Sequence, residues 1–188
     1  MLYHVSPTAG LKALMPKVST HGTAYVYAIE NMVTGLLFGA KCDDFDFDIS
    51  TNGQGKPVLL ECYPDAFRTV YQGRSCSVYM VDDAGFERGR TSWEPELVCG
   101  HEVPVLEEIA IPDLYERLLN EEAHGQLTIR RYEHTDEYRQ KIAAHIVDRL
   151  IRFGIDLDHA AESDPRFATH YRGIIEQLRL AADGHLLP

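Results

Sequence analysis

Near residue 113 the apolar residues of this chain change their spacing from two to three or four, and that change constrains the fold more than any other feature. Before it, short runs rich in Val, Tyr, Leu and Ile read as strands between turns, at residues 3–5, 24–29, 58–63, 76–81 and 97–98 running on toward Val105. Asn52-Gly53-Gln54-Gly55 is the clearest turn, and the apolar runs on either side of it predict a hairpin. Met32, Leu36, Leu37 and Phe38 predict a short helix within 31–40 that ends at Gly39. After the change, Asp113 caps a helix through Tyr115, Leu118 and Leu119 that stops before Gly125. Thr135 or Asp136 begins a longer helix, with Tyr138, Ile142, Ile146, Leu150 and Phe153 on one stripe and Gly154 at its end. Ser163-Asp164-Pro165 announces a last helix showing Phe167, Tyr171, Ile174, Ile175 and Leu178. Strands first and helices afterwards predict an α+β fold rather than a doubly wound sheet. The expected organisation is a β-rich core over 1–112 and a helical extension over 113–188 packed on it as one unit.

At 188 residues a single main core is the default. With 45% hydrophobic and 25% charged residues, large-scale disorder is not expected. The net charge of -11 argues against nucleic acid as a partner, because phosphate-backbone affinity is built from Lys and Arg contacts. No secretory pattern opens the chain, and no run approaches the ~18 apolar residues of a membrane helix, so a cytoplasmic location without membrane contact is expected. The four cysteines, separated by 20, 14 and 23 positions, make no C-x-x-C pair and read as free thiols.

Asp44-Phe45-Asp46-Phe47-Asp48 has the carboxylate alternation that opens a calcium loop. Counted from Asp44, however, the sixth position is Ile49 instead of glycine and the twelfth is Gly55 instead of glutamate. A strand with Phe45, Phe47 and Ile49 buried and the three aspartates in water accounts for the same letters. The nine histidines contain no H-E-x-x-H, and no phosphate-cradling glycine motif is present, so no metal site and no Rossmann or P-loop nucleotide site is expected. Ser75-Cys76-Ser77 has no histidine tied to it, and Cys76 reads as the start of a buried strand.

Three short strands carry the remaining chemistry. Period-two alternation puts Leu2, His4 and Ser6 on one face of the first, so two polar groups point the same way. Tyr25 and Tyr27 alternate on the second, where either offers an aromatic face to a planar ligand. Glu96 opens the third, and a carboxylate beside a histidine and a tyrosine can hold a sugar and stabilise positive charge growing on it.

Leu2-Tyr3-His4-Val5-Ser6 resembles the L-Y-H-G-[ST] first strand of the ADP-ribosyltransferase superfamily, the group that includes the poly(ADP-ribose) polymerases and small bacterial relatives. Val26-Tyr27-Ala28 is similar to that family's tyrosine strand, and Pro95-Glu96-Leu97-Val98 followed by Val103-Pro104-Val105 to its glutamate strand. The likeness covers roughly the first 110 residues and rests on short motifs. Val5 stands where the family pattern has glycine, Ala24-Tyr25 where a glycine precedes the tyrosine, and Pro95 directly before the glutamate. The resemblance implies an ADP-ribosyltransferase-like β-rich core that takes NAD as co-substrate. It implies that His4 bonds the adenosine ribose, assisted by Ser6. It further implies that Tyr27 stacks on the nicotinamide, with Tyr25 as the alternative, and that Glu96 binds the nicotinamide ribose as the catalytic residue. An NAD-type small molecule and an unidentified acceptor are the implied partners, and the helical region is a candidate surface for a protein partner. The alternative expectation is a catalytically inactive ligand-binding or protein-interaction module of the same fold.

Overall fold

The computed structural model describes residues 1–18, 22–91, 93–171 and 178–179. In chain order the elements are β1 (Leu2–Ser6), β2 (Ala13–Leu14), β3 (Lys17–Val18), β4 (Ala24–Ile29), α1 (Met32–Leu36), β5 (Phe47–Thr51), β6 (Pro57–Glu61), α2 (Ala66–Tyr71), β7 (Cys76–Val81), β8 (Glu87–Arg88), β9 (Glu96–Cys99), β10 (Val103–Pro104), β11 (Glu107–Ile111), α3 (Leu114–Ala123), β12 (Thr128–Arg130), α4 (Asp136–Phe153), α5 (Leu157–Ser163) and α6 (Pro165–Thr169). The class is α+β, with strands and helices both well represented. The chain forms two compact units, each discontinuous in sequence. One comprises Met1–Lys41, Gly53–Pro57 and Tyr71–Thr128, the other Cys42–Asn52, Val58–Val70 and Ile129–Pro188. The division therefore interleaves the β-rich and helical stretches instead of following residue 112.

The first unit is built on an antiparallel sheet in the order β11-β7-β1-β4-β9-β8, with β3 also paired to β4. Register partners share a face, and the apolar pairs Leu2 with Val81, Ala28 with Leu97 and Val26 with Cys99 are all buried in one cluster. Each large apolar side chain in such a cluster contributes on the order of 1.5–3 kcal/mol by leaving water. Asn31 caps α1 by accepting from the amides of Val33 and Thr34. The helix ends earlier than its apolar pattern predicts, because the chain tightens at 37–39. Gly39 sits there against β7: a Cβ on it would stand 2.7 Å from Cys76 Sγ, so only glycine lets the turn approach the strand so closely. Asp113 caps α3, as its position predicts, by accepting from the Glu116 amide.

The second unit contains the sheet β12-β6-β5, in which the expected hairpin partners β5 and β6 are neighbours. Thr135 caps α4, acidic residues fill its first turn, and Gly154 ends it in the left-handed conformation at φ 63°. Tyr138 on this helix donates its hydroxyl to the Glu61 carbonyl at 2.9 Å, joining α4 to β6. The strand expected over 45–49 begins only at Phe47. The amide of Asp46 bonds the Asp43 carbonyl in a turn, which breaks the period-two alternation. Asp46 is consequently buried rather than in water, and its carboxylate accepts from the Tyr63 hydroxyl and the Asp43 amide. Asp164 and Pro165 open α6, but that helix ends at Thr169, so Tyr171 lies beyond it. Tyr171 instead donates to the Phe45 carbonyl while its ring meets Phe167 edge-on. Ile174 and Ile175 fall outside the described residues. Among the described residues, no helix is long and apolar enough to cross a membrane.

Candidate functional site

β1 forms a complete ladder with β7, from Leu2 against Val81 to Ser6 against Ser77, but meets β4 at the single register pair Tyr3 and Ile29. Beyond that pair the sheet opens, and the imidazole of His4 spans the gap by donating through Nδ1 to the Tyr27 carbonyl at 2.7 Å. A carbonyl only accepts, so Nδ1 carries the hydrogen and a neutral ring keeps its lone pair on Nε2. Burial pushes the His4 pKa below its ordinary 6.5, opposed by the Tyr27 bond and helped by the charge of Lys17. His4 is therefore a neutral group at neutral pH, ready to accept a hydrogen bond.

A cavity of about 260 Å3 occupies the opening. His4, Tyr27 and Glu96 all line it, from the neighbouring strands β1, β4 and β9. Glu96 reaches it because it is the register partner of Ile29 and because its amide bonds the Trp93 carbonyl, a turn that brings both side chains to the same space. Trp93 and Phe38 form the aromatic wall, their rings edge to face at 5.3 Å. A second cavity, of about 300 Å3, shares His4 and Val5 with the first and is lined further by Ser6, Leu11, Leu14 and Lys17. His4 thus borders two adjoining spaces, the second at the lower end of the volumes of small-molecule pockets and the first just below it.

The predicted residues separate accordingly. His4, Tyr27 and Glu96 share the first cavity, and Ser6 lies in the second, where its hydroxyl accepts from the Thr8 amide at 3.1 Å. Tyr25 lines neither of these cavities; it meets Tyr27 edge-on, with ring centroids 6.1 Å apart. Trp93, Phe38 and Lys17 were not singled out by sequence. Trp93 had a usable signal, since it is the chain's one tryptophan and stands three residues before Glu96. Phe38 and Lys17 had none, because a lone aromatic after a short helix and a lone lysine occur on many surfaces.

Val5 borders both cavities and packs on α1, where a Cβ added to Gly35 would stand 3.1 Å from the Val5 methyl. The larger side chain on the strand is matched by the absence of one on the helix. Among the described residues, no group of three or more His, Cys, Asp or Glu side chains is placed to hold a metal ion. Compared with protein-family models, curated proteins and solved structures, the chain finds no match in any of the three.

Proposed function

We infer that the chain is an ADP-ribosyltransferase-like protein whose cleft takes NAD as co-substrate and transfers ADP-ribose to an acceptor. The observation that carries this reading is the meeting of His4, Tyr27 and Glu96, from three neighbouring strands, on one cavity. The Nε2 lone pair of neutral His4 suits a ribose hydroxyl donor, and the Tyr27 ring suits a flat nicotinamide. Glu96 is the group that binds the nicotinamide ribose and stabilises the positive charge growing on it as the glycosidic bond breaks. Nicotinamide leaves with the bonding electron pair, and the acceptor's lone pair forms the new bond to the ribosyl carbon. The net charge of -11 disfavours a nucleic-acid acceptor, and the setting proposed is cytoplasmic.

The deciding experiment incubates the protein with labelled NAD and follows nicotinamide release, beside the Glu96→Ala variant. Release by the parent and its loss in the variant support the reading; no release and no NAD binding by the parent reject it. Val5 favours a second reading, a non-catalytic module, because its methyls occupy space at the cleft where the resembled pattern has glycine. Under that reading NAD binds without nicotinamide release.

A further inference from the structure

The segment that follows β1 is held from behind by two side chains of the same sheet. Tyr79 on β7 donates its hydroxyl to the Thr8 carbonyl at 2.7 Å and accepts from the Leu11 amide at 3.2 Å. Glu108 on β11 accepts from the Gly10 amide at 2.9 Å and from the Ser77 hydroxyl at 2.7 Å, with the Tyr79 hydroxyl at 3.2 Å. These donors, Ser77 first and Gly10 second, hold the Glu108 carboxyl below its ordinary 4.5 and keep it an acceptor at neutral pH. Three backbone groups of residues 8–11 therefore end on two side chains.

What the clamp holds is a wall of the site. Leu11, the last of the clamped residues, lines the second cavity together with Ala13, Leu14 and Met15, which come soon after it in the chain. Tyr79 is also the register partner of His4, and its ring lies 6.3 Å from the imidazole. One residue thus backs the ring of His4 and fixes the loop opposite it. We propose that Tyr79 and Glu108 are positioning residues that set the width of the second cavity and so govern binding of the portion of the ligand beyond His4. This rests on the NAD reading, because it assigns the adenosine-bearing portion to that side. Neither residue lines either cavity, so their effect reaches the ligand only through the loop.

The test measures binding of ADP-ribose and of free nicotinamide to the parent, Tyr79→Phe, Glu108→Ala and Glu108→Gln, with amide hydrogen exchange read at Gly10 and Leu11. Tyr79→Phe keeps the buried ring and removes only the hydroxyl, so the fold is retained. Its expected result is faster exchange and ADP-ribose affinity lower by about tenfold, the worth of one or two hydrogen bonds. Nicotinamide affinity is expected to stay within about twofold, as for a distant site. Glu108→Ala is expected to behave like Tyr79→Phe, while Glu108→Gln, which keeps an accepting oxygen, recovers most of the affinity. Unchanged ADP-ribose affinity despite faster exchange overturns the positioning role. Equal weakening of both ligands also overturns it, since general destabilisation then explains the loss. A parent that binds neither ligand rejects the NAD reading itself and the clamp's role with it, a failure seen before any variant is compared.

Discussion

His4 donates through Nδ1 to the carbonyl oxygen of Tyr27 at 2.7 Å, a side-chain bond in the gap where β1 and β4 part. Because burial is the largest cause of the lowered His4 pKa, the folded protein favours the neutral ring. Its stabilising contribution is complete above the unfolded value of about 6.5 and is lost as pH falls below it toward the folded pKa. NAD affinity is expected to be flat from neutral pH down to that value and to drop below it. Trp93 lines the same cavity and is the chain's one tryptophan, so fluorescence titration at stepped pH reads this directly. A curve that rises on acidification would show that the charged ring binds the ligand, contrary to the acceptor role.

Glu96→Gln keeps the size of the side chain and removes its charge. If the carboxylate acts on charge developing in the transition state, nicotinamide release falls by about 10²-fold or more, while NAD affinity measured by fluorescence changes little. Equal losses in affinity and rate would make Glu96 a binding residue only.

Val5 and Gly35 are expected to be coupled. Gly35→Ala alone forces a Cβ to within 3.1 Å of Val5 and 3.2 Å of Ile29, whose methyls must give way. Val5→Gly alone leaves a void and loosens β1, at a cost of about 1–3 kcal/mol. In the double variant the new methyl enters the space that Val5 vacates, so the cost is less than the sum. Urea denaturation of the four proteins measures the coupling, and strict additivity would show that the two residues are independent. Val5→Gly is also expected to tighten NAD binding by widening the cleft.

Glu61 is buried at 2% exposure, and its two oxygens each accept from a backbone amide, Phe67 and Tyr132, both at 2.8 Å. Glu61→Ala strands both amides and is expected to cost about 2–5 kcal/mol. Glu61→Gln is expected to fall between, since one oxygen remains and the new NH2 faces an N–H. Thermal unfolding ranks the three proteins; an unchanged midpoint in the alanine variant would mean that other acceptors satisfy the amides.

The elements whose signals are local were legible. Asp113, Thr135 and Asp164 cap helices as their positions predict, because a cap is a bond between residues two or three apart. Alternation alone places Asp46 in water, because it reveals neither the turn at 43–46 nor the donor that Tyr63 supplies. The short strand β2 carries no sequence signal because it is only two residues long and exists through its pairing with β10.

His4, Tyr27 and Glu96 were legible as chemistry on strands, since period-two alternation and residue type depend on the chain alone. Their shared cavity was decided by the tertiary structure, which brings β1, β4 and β9 side by side and parts the first two after a single pair. Tertiary packing likewise leaves Tyr25 off the lining of both cavities, puts Trp93 on the first and bonds Tyr79 and Glu108 to the loop after β1. The physical reason is range: alternation and capping act over a few residues, whereas strand order and register bring together groups as far apart as the 98 positions between Gly10 and Glu108.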